Sequence, residues 1–430
     1  TLAKFSCVYI STASTYAAKT AKINASIRFK ITLHAGKNGF GSRCRRRYDR
    51  YSNMQSKYPA DMKARVTRAL SLAIIAVVFS APVTLTVASE TNYTLETVAD
   101  GLDSPWSIAF LPNGEYLITE LVGNLRIINQ AGEVSPPIAG VPDVYFAGQG
   151  GLFDVLLDPA HDLNQLIYLS YASGGPTSNT TTVVRGKLSE NRLSEVQVIY
   201  SAAPKKTTPV HYGGRLAWHT DGTLLLTTGD GFDYREKTQD IKTHFGKTIR
   251  MNADGTPAAG NPFINAPYVL SYGHRNPQGL AVSRSGTIYQ HEHGPRGGDE
   301  INVIEAGKNY GWPAITYGLD YNGAYISPFT SFAGMVQPLH VWTPSIAPSG
   351  LTLYEGDSFP NWHGDLFVGA LVDAEVRRLD LENGKIVAEE TLFSEIDERI
   401  RDIRSAPDGR LYLLTDGAEG RVIRVTPNGS

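Results

Sequence analysis

The chain reads as an all-β protein, specifically a six-bladed β-propeller built from four-stranded antiparallel blades. Three observations lead there. A phrase made of a turn followed by a strand occurs six times, and most copies stand 45 to 65 residues apart. Helix-period patterns with caps are nearly absent. Each copy couples an Asn-Gly, Asp-Gly or related turn to alternating apolar residues, as a hairpin does when it enters a half-buried strand. A β-sandwich with coincidental turns is the competing architecture, and a repeat of blade length favours the closed ring.

In chain order the copies are Pro112–Thr119 (PNGEYLIT), the looser Asp162–Ser170 (DLNQLIYLS), Thr220–Thr227 (TDGTLLLT), Arg284–Gln290 (RSGTIYQ), Trp362–Val368 (WHGDLFV) and Pro407–Thr415 (PDGRLYLLT). One longer gap precedes Gly364. It contains a Tyr/Gly/Pro-rich stretch, 312–345, expected to form a wall or lid over one mouth of the ring, where propellers build their sites.

The first 89 residues follow a different grammar. Residues 1–61 hold both cysteines, Cys7 and Cys44, and a basic cluster from Arg43 to Arg50, without a core pattern. From Met62 a positive region (Lys63, Arg65, Arg68) leads into the apolar run Ala69–Phe79 and then the small residues Val87-Ala-Ser89. That is the pattern of a secretory signal, too short and wrongly flanked for a spanning helix. The expectation is therefore an upstream, non-native and disordered stretch over 1–61, a signal peptide over 62–89 and the propeller over 90–430. A basic nucleic-acid-binding arm is the competing use of the first segment.

Residues 90–430 carry 25 Lys+Arg against 40 Asp+Glu, a net of −15, and no cysteine. Such a surface has no reason to seek nucleic acid or anionic lipid. Stability outside the cytoplasm would come from core burial and bound cations rather than disulfides. The localisation expected is periplasmic or secreted, with no membrane span.

The densest chemistry lies in His293-Gly-Pro-Arg-Gly-Gly-Asp-Glu-Ile-Asn-Val-Ile304. Its Gly-Pro and Gly-Gly pairs force an irregular turn with unpaired carbonyls, and Asp299 and Glu300 follow at once. Carbonyls with carboxylates suit a hard cation such as Ca²⁺. Twenty residues upstream, Tyr272–Leu280 is a second polar turn, and Arg275 within it could stabilise a developing oxyanion or tie down a loop. His211, before a predicted strand, could accept a proton from a hydroxyl or serve structure alone. Arg399 and Arg401 alternate on a strand and so face one way, suiting a ligand with several carboxylates; pairing with Asp397 or Asp402 is the alternative. Gln149 sits on a flexible turn and says little alone. His291 and His293 share a strand face, as transition-metal ligands can, but no third ligand is evident.

Taken together, His211-Tyr-Gly-Gly-Arg-Leu216, Gly273-His-Arg-Asn-Pro-Gln-Gly279, Glu292–Asn302, Asn309-Tyr-Gly-Trp-Pro313 and Arg399-Ile-Arg-Asp402 resemble the soluble quinoprotein sugar dehydrogenases of the glucose/sorbosone dehydrogenase family, aldose sugar dehydrogenases in particular. The resemblance runs from about Tyr93 to the C-terminus. It implies a propeller that binds pyrroloquinoline quinone (PQQ) through Ca²⁺ and oxidises the anomeric hydroxyl of aldoses to lactones. By the same resemblance His211 is the general base and Arg275 stabilises charge on the quinone. Gln149, His211, Arg275, Asn276, His293, Arg399 and Arg401 hold the cofactor. The carbonyls of Gly294 and Pro295 take one Ca²⁺, and the Glu300 carboxylate and Tyr310 carbonyl take a second, structural one.

Three positions depart from the family's glucose enzymes. Val210 stands where they carry an aspartate and His293 where they carry a glutamine, which moves specificity away from glucose. Val372 occupies the place of a lysine that contacts PQQ, and one lost charge-assisted contact costs about 1.5–3 kcal/mol. No Cys-x-x-Cys-His haem attachment exists, so electrons would leave to a separate acceptor. A monomer or a homodimer is expected. A Ca²⁺-dependent lactonase-type hydrolase and a non-catalytic binding propeller are the competing functions.

Overall fold

The computed structural model describes residues 93–428. The expected signal peptide and the stretch before it lie outside the described residues. Twenty-three strands are arranged as six antiparallel sheets. The first blade comprises β2 (Pro105–Phe110), β3 (Tyr116–Glu120) and β4 (Asn124–Ile128). Its fourth place is taken by an irregular segment: the N–H of Ser135 donates to Ile127 O at 2.8 Å and that of Ile138 to Leu125 O at 2.9 Å. The second blade is β5 (Leu152–Leu157), β6 (Leu166–Gly175), β7 (Ser178–Ser189) and β8 (Arg192–Ser201). The third is β9 (Gly213–Trp218), β10 (Leu224–Thr228), β11 (Lys247–Met251) and β12 (Val269–Tyr272).

The fourth blade is β13 (Pro277–Val282), β14 (Ile288–Glu292), β15 (Asp299–Ile304) and β16 (His340–Trp342). The fifth is β17 (Pro348–Leu353), β18 (Leu366–Ala370), β19 (Glu375–Glu382) and β20 (Lys385–Leu392). In the sixth, β21 (Ile400–Ser405), β22 (Leu411–Thr415) and β23 (Gly420–Pro427) are completed by β1 (Tyr93–Leu102) from the other end of the chain. β1 pairs antiparallel with β23 from Tyr93 opposite Pro427 to Leu102 opposite Gly420. The repeated turn-and-strand phrase falls each time on the second strand of a blade: β3, β6, β10, β14, β18 and β22.

The six innermost strands, β2, β5, β9, β13, β17 and β21, pack in succession, and β21 returns to β2. What holds the ring is apolar packing between neighbouring blades. Leu117 and Leu125 of the first blade meet Val155 and Leu169 of the second, and Tyr168 and Val183 meet Leu216 and Leu226 of the third. Around the ring, Ile301 meets Leu351 and Val368, Phe367 meets Ile403 and Leu413, and Ile118 meets Leu414 and Val422. Each such side chain, fully buried, contributes about 1.5–3 kcal/mol.

Charged groups on the inner strands face one another across the channel. Arg215 Nη2 lies 3.0 Å from Asp402 Oδ1, and Arg404 bonds Asp154 at 3.1 Å and Asp402 at 3.0 Å. The Arg215 guanidinium stacks 4.0 Å over the Trp106 ring. Two arginines against two aspartates leave no net buried charge, the condition under which such ions are tolerated.

Candidate active site

The residues singled out in the sequence gather at the end of the channel where the innermost strands begin. Gln149, His211, Arg275 with Asn276, and Arg399 each precede or open one of β5, β9, β13 and β21. Two adjoining cavities result. One of about 340 Å³ is lined by His211, Arg275 and Pro295, with Trp312 and Tyr321 on its wall. The other, about 280 Å³, is lined by Gln149, Asn276, His293, Arg399 and Arg401. A hydrogen bond joins the two: Gln149 Oε1 accepts from the His211 backbone N–H at 2.8 Å. The stretch expected to wall the mouth does so, since Trp312, Asp320, Tyr321 and Ile326 all belong to the connection between β15 and β16.

His211 is only 5 % exposed and adopts a left-handed backbone, φ 53°, which a non-glycine residue holds only where its surroundings impose it. Its Nδ1 lies 2.7 Å from Asp230 Oδ1. Asp230 is itself fixed by the Phe232 N–H at 2.8 Å and by Trp312 Nε1 at 2.8 Å. Burial lowers the His211 pKa, Asp230 opposes it, and Arg275 and Lys206 lower it further. Burial pushes Asp230 up, but its bond to the His211 ring, the nearby charges and the Phe232 N–H together hold it below its ordinary value. The pair is therefore neutral imidazole with ionised carboxylate. A carboxylate only accepts, so Nδ1 carries the hydrogen and Nε2 is left as a proton acceptor.

Arg275 does not reach a carboxylate. Its Nη1 donates to the carbonyls of His293 at 3.0 Å and Gly294 at 2.6 Å, and its Nη2 donates to the Tyr321 hydroxyl at 3.3 Å. The two carbonyls thus converge on one positive group, as a loop built to hold a cation requires. Only glycine fits at 294, since a Cβ would lie 2.3 Å from Gly297 O. Asp299 shapes this loop: Oδ1 accepts from the Gly294 N–H at 2.8 Å, and Oδ2 from Ser345 Oγ at 2.5 Å and the Ala347 N–H at 2.9 Å.

A second acidic cluster lies beside it. Glu292 and Glu300 stand directly opposite on β14 and β15, which sets their carboxylates side by side. Burial, and for Glu300 also the Glu292 carboxylate, pushes both pKa values well above the carboxylate range. Glu292 also bonds His274 Nδ1 at 3.3 Å, and the His274 ring stacks 4.7 Å from that of Tyr310. Asn302 Oδ1 is buried without a partner nearby. Among the described residues no lysine or arginine side chain forms an ion pair with either carboxylate, and two carboxylates with an orphan amide oxygen form a donor set that fits a hard cation.

Some expectations need correction. Arg399 and Arg401 face one way, but their partner is Asp416, bonded at 2.8 Å by Arg399 Nε and at 2.8 Å by Arg401 Nη2, rather than Asp397 or Asp402. Successive strand residues point to opposite faces, so Asp402 turns into the channel. His291 is fully buried against Gly350 O, and among the described residues no group of three or more His, Cys, Asp or Glu is placed to hold a metal. The His291/His293 pair therefore gains no third such ligand among the described residues. Val372 is 61 % exposed at the rim, while Leu371 beside it lines the cavity.

Sequence reading missed Asp230 and Asp416, and it met Trp312 and Tyr321 only as members of the stretch expected to wall the mouth. Asp230 did leave a signal, a lone carboxylate between glycines directly after a predicted strand.

Fold and site together define a six-bladed propeller with a histidine–carboxylate pair and a cationic cavity at one mouth, a class suited to small polar ligands. Comparison with known proteins narrows this. The sequence profile described as "Glucose / Sorbosone dehydrogenase" matches residues 102–424, and the chain belongs to that family. Aldose sugar dehydrogenase YliI of Escherichia coli is 39% identical over 351 residues, covering 79% of this chain and 94% of the relative. The apo-form crystal structure of the soluble E. coli aldose sugar dehydrogenase superposes with a TM-score of 0.75, at 39% identity over 78% of this chain and 100% of that one. The PQQ-bound aldose sugar dehydrogenase of Streptomyces coelicolor gives 0.67 at 29% identity, covering 78% of this chain and 98% of that one. Among the described residues no helix is long and apolar enough to cross a membrane.

Proposed function

We propose that this protein oxidises the anomeric hydroxyl of aldose sugars to the lactone, using PQQ and Ca²⁺, with His211 as general base. The observation that carries the reading is the His211–Asp230 pair, which presents a bare imidazole nitrogen to the same cavity as Arg275. His211 Nε2 takes the proton of the anomeric hydroxyl. The anomeric hydrogen leaves with its electron pair, and the carbon–oxygen bond becomes the lactone carbonyl. PQQ, when bound, supplies the acceptor for that pair, with Ca²⁺ as Lewis acid beside it.

The chain's own residues account for the rest. Gln149, Asn276, His293, Arg399 and Arg401 line the cavity that would hold the cofactor, the two arginines meeting its carboxylates. The Gly294 and Pro295 carbonyls would hold one Ca²⁺. Glu300 and the Tyr310 carbonyl would hold the structural one. Arg275 stands where negative charge would develop. Electrons would pass to a separate acceptor, and the protein would work outside the cytoplasm as a monomer or homodimer.

The test is to incubate purified protein with Ca²⁺ and PQQ and follow dye reduction with glucose, galactose and other aldoses. Bleaching only with both additions is the expected result. Lactone opening without PQQ would identify a hydrolase instead, and neither activity would leave a binding propeller. Mass spectrometry of the exported product should find an N-terminus near Ser89 or Glu90.

A further inference from the structure

Lys206 is a buried lysine to which neither the motifs nor the family resemblance gives a role. It is 4 % exposed, and its backbone is tied to the second blade through reciprocal bonds with Asn179 at 2.8 and 2.9 Å. The side chain runs under the loop that leads to His211. There the ammonium donates to Thr208 O at 2.5 Å and Val210 O at 2.9 Å, and sits 3.4 Å over the Tyr212 ring. Tyr212 is anchored in turn, its hydroxyl bonding Asn179 Oδ1 at 2.7 Å. Two carbonyls flanking Pro209 and one aromatic face thus close on a single cation, directly before a residue held at φ 53°.

We propose that Lys206 is a positioning residue for the catalytic base, its ammonium clamping the 207–212 loop in the shape that aims His211 and adding a positive charge to the base's surroundings. This rests on the assignment of His211 as base. The electrostatic half follows from what surrounds the pair. Asp230, bonded to the His211 ring, acts by its charge on both His211 and Lys206, and Arg275 and His293 are the other charged or titratable groups that interact with His211. Tyr212, whose ring lies under the ammonium, is a further titratable group against the lysine, and Tyr234 approaches Gly231 beside the lysine's side chain. Asp230 pulls a proton onto the imidazole, and Lys206 and Arg275 oppose it. The lysine's own pKa, pushed down to about 7 by burial, leaves it charged on the acidic side of neutrality, where His211 would otherwise protonate.

The test uses holoenzyme reconstituted with PQQ and Ca²⁺. Lys206→Met removes the charge at similar length. It should lower kcat about 10-fold or more and move the acidic limb of kcat/KM to higher pH, by on the order of half a unit. Lys206→Arg keeps the charge but not the compact fit, so kcat should fall while the limb stays in place. If the methionine variant fails to fold, the arginine variant carries the test, and an unchanged kcat there would overturn the proposal. An unmoved limb in Lys206→Met, alongside an inactive His211→Ala, would overturn the role of Lys206 and leave the base standing. Normal turnover by His211→Ala would overturn both.

Discussion

His211 can accept a proton only while Nε2 is bare, and Asp230 secures this by accepting a hydrogen bond from Nδ1–H, which keeps the ring's hydrogen on that nitrogen. His211→Ala should retain bound quinone and lose turnover by about 10²–10⁴-fold, read by dye reduction beside cofactor absorbance. Asp230→Asn preserves the shape but lets the amide donate, favouring the wrong tautomer, and should cost about 10²-fold or more in kcat. The pH sign follows from the base. Burial holds its folded pKa below the ordinary 6.5, so activity should be full above that value and fall only as pH drops through the lowered one. An acidic limb above pH 6.5 in the kcat/KM profile would contradict this. Legibility at this scale is uneven. His211, Arg275 and Arg399 declare themselves by residue type and motif, whereas Asp230 is 19 residues from its partner and Asp416 is 15 from Arg401. Those pairings exist only once hairpins fold back, and spacing along a chain cannot show them.

Among the elements, the turn between β14 and β15 carries the most constraint. Gly298 has φ 74°, and a Cβ there would lie 2.6 Å from the Gly318 backbone nitrogen. Gly298→Ala should destabilise the fold by about 1–3 kcal/mol and weaken cofactor retention, measured by thermal melting and by quinone released on gel filtration. The facing carboxylates on the same hairpin give a second prediction. Glu292 and Glu300 have folded pKa values raised above their unfolded ones, both by burial and Glu300 also by the Glu292 carboxylate. The stability they contribute is full below the ordinary carboxylate pKa and is lost as pH rises through the raised values. Chelated protein should therefore melt at progressively lower temperature as pH rises from about 4.5 towards neutrality. Added Ca²⁺ should restore stability by an increment that grows with pH. The Gly-Pro and Gly-Gly pairs make this turn readable in sequence, but the loop it packs against, 316–321, has no periodic signal and emerges only in the folded molecule.

At the scale of the whole molecule, closure depends on β1, whose Leu102 and Ala99 are buried within the last blade. Deleting residues 93–102 should expose the edge of β23, lower the melting temperature sharply and produce oligomers by edge pairing, visible in light scattering. The ring itself was the most legible feature, because every blade repeats its turn and second strand. Two things were not. The first blade's irregular outer segment, 133–138, lacks alternation, and the Arg215–Asp402 and Arg404–Asp154 contacts in the channel join strands up to 250 residues apart.

β1 and β23 also bring the two extremities of the fold side by side. Thr94 Oγ1 donates to Asn428 Oδ1 at 2.5 Å, and Asn428 Nδ2 donates to Tyr93 O at 3.3 Å. A few glycines and serines could therefore bridge 428 to 93 without disturbing a strand. The chain could then be reopened at the exposed hairpin tip Asn383-Gly384, far along the sequence from His211 and Arg275. Such a circular permutant should fold and keep its sugar chemistry, with new ends on the outer margin of the fifth blade where a carrier protein or electrode tether can be attached.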